Sequence, residues 1–363
     1  MAQPLRRPQR RAYTVPVDVA IIGASGAIGR QTAISLVESG VLPPTSRLQL
    51  VGRQDGPSQH LLPGLAADLT DAFAETLPEI DVALDPQDVL ADIVIVAAGA
   101  AIPTSEGTPR ERGELAQDNA AVFERYARAL RRTGHGEELV LVVTNPVELG
   151  VHIFSQHHPR NRVIGMGAFL DTLRFRREIA ADLGIRRQRV HGLVLGEHGS
   201  HMVPCWSTVS AYGFDSEEGR TRLMALQSAD EPSPSAAVAE VTDILRTQGP
   251  AAAYRRAASF GPTLRVYTKP YITHLSGAKT AIGTAEIICR LVETILGGQQ
   301  LQAAAQLQLE GEFLGIHGVT GVPALLSNRG VERIEPVALT DAEADAVRSA
   351  AIHSAALIKK ARP

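Results

Sequence analysis

Cysteine is nearly absent: Cys205 and Cys289 are the only two in 363 residues. Two thiols cannot build a disulfide framework, and the start of the chain has no apolar stretch of the secretory kind, so a reducing, cytoplasmic location is expected. Long apolar runs are missing as well. None approaches the ~18 to 20 residues that a bilayer requires, which excludes a membrane-spanning role and leaves no membrane partner. A charge surplus is also lacking, since 36 Lys+Arg stand against 39 Asp+Glu for a net charge of −3. Phosphate recognition along a nucleic acid needs a basic excess, so no nucleic-acid partner is expected. Lysine itself is scarce, with only Lys269, Lys279, Lys359 and Lys360. The one local basic run, Arg6-Arg7-Pro8-Gln9-Arg10-Arg11, contains no acid and reads as part of a flexible, solvated tail over residues 1–14.

The rest is ordinary globular composition, 44% hydrophobic and 21% charged, and the length suits about two domains. From Val15 onward, short β-branched runs alternate with helical patterns, the signature of a parallel sheet with crossover helices. Strands are expected at Val17–Ile22, Arg47–Val51, Asp81–Leu84, Asp92–Ala98 and Leu139–Val143. Helices are expected at Ile28–Ser39, Leu61–Phe73 and Leu115–Arg132. This gives a doubly wound α/β domain over residues 15–165. The pattern then loosens into a second, α+β domain over 166–360. There, helices are expected at Phe169–Leu183, Ser235–Thr247, Ala278–Leu296 and Thr340–Lys360, and a strand at Val190–Leu195. The polar, Pro-rich stretch Ser228–Ser235 reads as a surface loop.

Strand one runs into Gly23-Ala24-Ser25-Gly26-Ala27-Ile28-Gly29 and then a helix. Glycine belongs there because the turn is tight, the backbone must approach a pyrophosphate, and the helix N-terminus must face the phosphate charge. A Rossmann dinucleotide site built on Gly23, Gly26, Ala27, Ile28 and Gly29 follows. The end of strand two distinguishes the cofactors. An NAD site usually places a carboxylate there for the ribose hydroxyls, whereas this chain has Gly52-Arg53-Gln54. The missing carboxylate removes the repulsion against a 2′-phosphate and the guanidinium next door can bind it, so NADP is favoured over NAD; the alternative is a solvated Arg in a turn, with Asp55 nearby as an acid.

Three separated segments carry the remaining chemistry. Asp171-Thr172-Leu173-Arg174 places its acid and base on one helix face. Leu195-Gly196-Glu197-His198-Gly199 exposes a histidine after a strand. Arg112-Gly113-Glu114 opens a helix after a loop rich in Gly, Pro, Ser and Thr, the kind that closes over a ligand. With these pieces in hand, the sequence resembles the lactate and malate dehydrogenase family from Val15 to Lys360. The matches are Gly23–Gly29, Ala97-Ala98-Gly99, Arg112–Asn119, Val143-Thr144-Asn145-Pro146, Asp171–Phe175, Gly196–Gly199, and Gly311–Gly315 before Gly321-Val322-Pro323. The resemblance implies an N-terminal Rossmann domain, a catalytic domain of the lactate/malate dehydrogenase type and a small 2-hydroxy or 2-oxo acid substrate. It implies His198 as proton acceptor while hydride leaves the hydroxyl carbon, with Asp171 fixing its tautomer. It implies Arg174 as a fork for the substrate carboxylate, Arg112 as the group polarising the 2-oxo oxygen, and Asn145 bonding that oxygen or the cofactor amide. Ala98, Gly99, Asn119 and Val143 fall in matching pieces and are expected along the cofactor site. A homodimer or homotetramer is also implied.

One piece departs from the pattern. Malate enzymes of the family carry a second Arg about six residues before the catalytic one, and lactate enzymes generally Gln; here the position is Glu106, in a loop a few residues longer than usual. A carboxylate would repel a dicarboxylate substrate. Two basic residues could replace the missing cation: Arg110, close in sequence but pointing away if Arg112 points in, and Lys279, at a helix start that in the family lines the far end of the substrate pocket and therefore the candidate. Malate/oxaloacetate interconversion is the expected activity, with a different 2-hydroxy acid as the alternative. A catalytically silent NADP-binding regulatory protein is the alternative from another class, opposed by the joint presence of Arg112, Asp171, Arg174 and His198. A semialdehyde dehydrogenase needs a Cys early in its second domain, and a short-chain dehydrogenase needs Tyr-x-x-x-Lys; neither is present. His201 stands near His198 without an acidic or Cys partner at ligand spacing, so no metal is expected.

Overall fold

Strands that a parallel sheet buries on both faces need β-branched and aliphatic side chains throughout, and the first half of the chain supplies them. The computed structural model describes residues 17–100, 112–227, 231–277 and 280–361, with backbone alone at 112–115. The first half runs β1 (Val19–Ile22), α1 (Ala27–Glu38), β2 (Arg47–Val51), α2 (Ser58–Ala72), β3 (Glu79–Ala83), β4 (Ile93–Val96), α3 (Arg112–Thr133), β5 (Leu139–Val142), α4 (Val147–Ser155) and β6 (Val163–Gly165). These six strands pair in the order β3-β2-β1-β4-β5-β6, every pair parallel. The order reverses between β1 and β4, which opens a crevice beyond their carboxyl ends, the place where such sheets bind ligands.

The second half is α5 (Gly167–Leu183), β7 (Val190–Gly196), β8 (Met202–Ala211), α6 (Glu217–Met224), α7 (Pro234–Gln248), α8 (Pro250–Ala258) and α9 (Pro262–Leu275). It continues through α10 (Ala281–Leu296), β9 (Leu301–Glu310), β10 (His317–Ser327), β11 (Gly330–Ile334) and α11 (Asp341–Ala361). Its strands extend the same sheet: β9 meets β6 antiparallel at Gly165–Gln306, β10 pairs with β9, β7 joins β10 at Gly196–Gly321, and β8 and β11 flank them.

Alternation along β1 divides the core. Val19 and Ile21 join a cluster with Leu36, Ile288, Leu291 and Val292, where α10 packs on α1. Ala20 and Ile22 join a cluster on the opposite face with Phe123, Phe154 and Ile358, from α3, α4 and α11. The expected capping box opens α11, with the Thr340 N–H donating to Glu343 Oε2 at 2.9 Å and the Glu343 N–H to Thr340 Oγ1 at 3.3 Å.

Two expectations change. The surface loop Ser228–Ser235 ends earlier than expected, because Ser233 accepts the Ala236 N–H with its side chain and Pro234 and Ser235 form the first turn of α7; residues 228–230 lie outside the described residues. The sequence pattern also left out α4, α6, α8, α9, β6, β8, β9, β10 and β11. Among the described residues no helix is long and apolar enough to cross a membrane.

Candidate active site

The glycine turn is as tight as its composition demands. Gly23 has φ +88°, and a Cβ there would lie 2.6 Å from the Ala98 backbone, so neither the conformation nor the space admits a side chain. Gly26 and Ala27 are exposed, Ile28 anchors α1 to the core, and Gly29 is buried in the first turn. No side chain caps the N-terminus of α1. Its first N–H groups and dipole therefore face the crevice, as a pyrophosphate requires. Ser25 Oγ lies 2.9 Å from Ser58 Oγ, joining this turn to the start of α2. Gly52 is buried, its carbonyl accepting the Tyr126 hydroxyl at 3.0 Å, while Arg53 beside it is exposed. These residues fit a dinucleotide.

The loops after β4 and β5 are held together from behind. Asn119 is fully buried, and its Oδ1 accepts the Ala100 N–H at 2.6 Å while its Nδ2 donates to the Asn145 carbonyl at 2.7 Å. The amide expected along the cofactor site is thus engaged by backbone groups, and it fixes where Ala98, Gly99 and Asn145 stand. Val143 is buried and donates its N–H to the Val96 carbonyl at 3.0 Å. Asn145 is exposed at the crevice, just before Pro146 and α4.

Asp171 and Arg174 share the inner face of α5, and His198 comes from the turn after β7. His198 Nδ1 lies 2.6 Å from Asp171 Oδ2, and Arg174 Nη1 donates to Asp171 Oδ1 at 3.1 Å. Asp171 is buried, whereas the side chains of Arg174 and His198 stay 14% and 17% exposed, enough for a small ligand to reach them. Burial alone would raise the Asp171 carboxyl, but the His198 charge and hydrogen bond, followed by Arg174, hold it below the ordinary carboxylate value. Burial alone would likewise lower His198, yet Asp171, with help from the charge of Glu148, holds the imidazole above its ordinary value. An Asp bonded to Nδ1 leaves Nε2 as the nitrogen that can exchange a proton with a ligand.

Two contributors had escaped the sequence. Glu148, buried in the first turn of α4, accepts the His198 backbone N–H at 2.7 Å. Burial pushes its carboxyl above the ordinary value, the His198 N–H opposes, and Glu197 adds to the rise. Because Glu148 follows Asn145 by three residues, this bond ties the histidine turn to the crevice. Gly167 opens α5 so close to the imidazole that a Cβ would lie 2.3 Å from His198 Cγ. A glycine four residues before Asp171 was the available signal for the second; nothing near Glu148 in sequence announced its partner.

Arg112 begins α3, and its side chain lies outside the described residues, as do Lys279, Glu106 and Arg110. The expectation against a metal rested on His201 lacking an acidic partner, and that is corrected. Glu197 stands four residues before it and the two are hydrogen-bonded, with His353 joining them from α11.

Comparison with known proteins bears on the whole chain. The NAD-binding domain of lactate/malate dehydrogenase matches residues 17–165, and the α/β C-terminal domain of the same family matches residues 168–233. A malate dehydrogenase of Methanothermobacter thermautotrophicus is 30% identical, over 93% of this chain and 94% of its own. An L-2-hydroxycarboxylate dehydrogenase (NAD(P)+) of Methanocaldococcus jannaschii is 29% identical over 95% and 97%. The fold is shared with a lactate dehydrogenase from a deep-sea metagenome library of the Medee basin, at 23% identity and a TM-score of 0.74 over 96% of this chain and 99% of that one. With both domain patterns matched in order, this chain belongs to the lactate/malate dehydrogenase family, whose members are NAD-dependent oxidoreductases of 2-hydroxy acids.

Proposed function

We propose that the protein is an NAD(P)-dependent 2-hydroxy acid dehydrogenase that interconverts malate and oxaloacetate, with residues 15–165 holding the dinucleotide and 166–360 the acid. The observation that carries this reading is the Asp171–His198 hydrogen bond beside Arg174, tied through Glu148 to the Asn145 turn of the crevice. The dinucleotide, held by the Gly23–Gly29 turn, Gly52, Arg53 and the Ala98–Gly99 loop, supplies the hydride acceptor when bound. His198 takes the hydroxyl proton at Nε2 in oxidation and returns it to the 2-oxo oxygen in reduction. Asp171 holds the tautomer and stabilises the imidazolium. Arg174 receives the substrate carboxylate as a fork, Asn145 and Arg112 address the oxygen at the reacting carbon, and Lys279 meets the distal polar group in place of the cation that Glu106 displaces.

We further propose a preference for NADP, supported by Arg53 standing exposed two residues after β2, where Gly52 rather than a carboxylate follows the strand and Asp55 is the nearest acid in sequence, and a homodimer or homotetramer as the working form. The test is a matrix of initial rates: oxaloacetate, pyruvate and longer 2-oxo acids, each with NADPH and NADH. Fast oxaloacetate turnover with NADPH is expected, together with a Lys279→Met variant whose KM rises about 10-fold or more for oxaloacetate and little for a neutral 2-oxo acid. Turnover confined to another oxo acid would move the assignment to a different substrate of the family; no turnover on any would leave a silent binding protein.

A further inference from the structure

Beside the catalytic turn stands a group of ligand-type side chains that the dehydrogenase reaction does not use. Glu197 begins the turn after β7, His201 ends the same turn before β8, and His353 reaches them from the middle of α11. Both imidazoles address one carboxylate oxygen: His201 Nδ1 lies 2.9 Å and His353 Nδ1 2.7 Å from Glu197 Oε2. Ser200 Oγ also lies 3.1 Å from His201 Nδ1. The two rings stack with centroids 3.8 Å apart and 27° between their planes. One ligand atom from each of the three residues falls within 4.8 Å of the other two. The carboxylate is anchored in the interior with its side chain 4% exposed, whereas the rings are 44% and 41% exposed and can be reached from solvent.

We propose that Glu197, His201 and His353 bind a divalent transition ion, with Zn2+ as the reference metal, and so clamp α11 to the turn that carries His198. Two imidazole nitrogens and one carboxylate oxygen make a donor set that zinc takes with solvent in the fourth position, at about 2.0–2.2 Å to each protein ligand. Co2+ and Ni2+ suit the same donors, and no soft sulfur is needed. The three atoms already converge from two pieces of chain, the β7–β8 turn and α11, so occupation asks for small ring rotations rather than backbone movement. Each neutral imidazole shifts its proton from Nδ1 to Nε2, and Nδ1 exchanges a hydrogen bond to Glu197 for a bond to the ion; no electron moves. Occupancy joins residues far apart in sequence and thereby stabilises the folded chain. Catalysis does not depend on it, because the His198–Asp171 pair is complete without the ion. This proposal stands apart from the choice of substrate and is read by binding rather than turnover.

The full chain, stripped with chelator, is titrated calorimetrically with ZnCl2 and, in parallel, with CoCl2 followed in the visible range. One ion per chain is expected. The Co2+ bands should be those of a low-coordinate site, without thiolate charge transfer. The melting temperature should rise with Zn2+. His353→Ala and His201→Ala should each weaken Zn2+ binding at least 10-fold and abolish the rise in melting temperature. Metal-free His353→Ala should keep the turnover of the metal-free parent, and His60→Ala should bind like the parent. Equal Zn2+ affinity in the parent and both variants, or no stoichiometric binding by the parent, would overturn the proposal.

Discussion

At the scale of the residue, everything the site does passes through Asp171, whose carboxylate takes His198 on one oxygen and Arg174 on the other. Asp171→Asn keeps the shape, removes the charge that stabilises the imidazolium and permits the wrong tautomer. Turnover should fall about 10²–10⁴-fold, while the affinity for NADPH, measured by fluorescence titration, stays within error of the parent. The sign of the pH dependence follows from the raised His198 value. Reduction consumes the imidazolium proton, so its rate is full below that value and falls as pH rises through it; oxidation does the reverse. Stability divides differently. The contribution of His198 is complete below the ordinary imidazole pKa and fades as pH climbs through the raised one. The contribution of Asp171, whose value is lowered, is complete above the ordinary carboxyl pKa and is lost as pH falls through the folded one. Glu148 is the second charge on the histidine, so Glu148→Gln, which keeps an oxygen for the His198 N–H, should move the alkaline limb of the reduction profile to lower pH. A limb that stays in place would show that His198 does not sense the charge of Glu148.

At the scale of the element, α5 must begin as close to the β7 turn as two backbones allow, and Gly167 sets that distance. Gly167→Ala drives a methyl into the imidazole, and the histidine must rotate away from Asp171 to accommodate it. Turnover should drop about 100-fold or more with the KM for NADPH unchanged; a rise in that KM alone would place the strain elsewhere. The same comparison explains what could be read in advance. Strands β1, β2, β4 and β5 were legible because burial on both faces leaves only aliphatic residues, and the glycine turn because its conformation admits little else. Strands β9 and β10 were not. The sequence Leu-Gln-Ala-Ala-Ala-Gln-Leu-Gln-Leu-Glu over 301–310 has weak strand propensity, and its structure comes from ten pairings along β10 that no local window contains. Asp171 and Arg174, three residues apart on one helix, could be paired from spacing. Glu148 with His198, and His201 with His353, are joined only by the fold, and the second pair links the catalytic turn to the last helix.

At the scale of the molecule, the two family patterns meet within a shared interior. The sheet passes from β6 to β9 without a gap, and the cluster around Val19, Ile21 and Leu36 from the first half contains Ile287, Ile288, Leu291 and Val292 of α10 from the second. Neither half can bury its apolar surface alone: removing α10 would uncover the outer face of α1, and removing α11 would uncover part of the cluster below α3. The described chain should therefore unfold as one unit. Scanning calorimetry of the ligand-free protein should give a single transition with calorimetric and van't Hoff enthalpies in agreement for the cooperative unit that melts. Leu291→Ala, fully buried at the contact between α10 and α1, should cost about 2–5 kcal/mol and lower that transition without splitting it. NADPH at about 100 times its Kd should raise the same transition by the equivalent of about 2.7 kcal/mol, although the proposed dinucleotide site lies in the first half alone. Two separate transitions, with only the first moved by NADPH, would mean that the halves fold independently and that the α1–α10 contact is an interface between domains rather than a core.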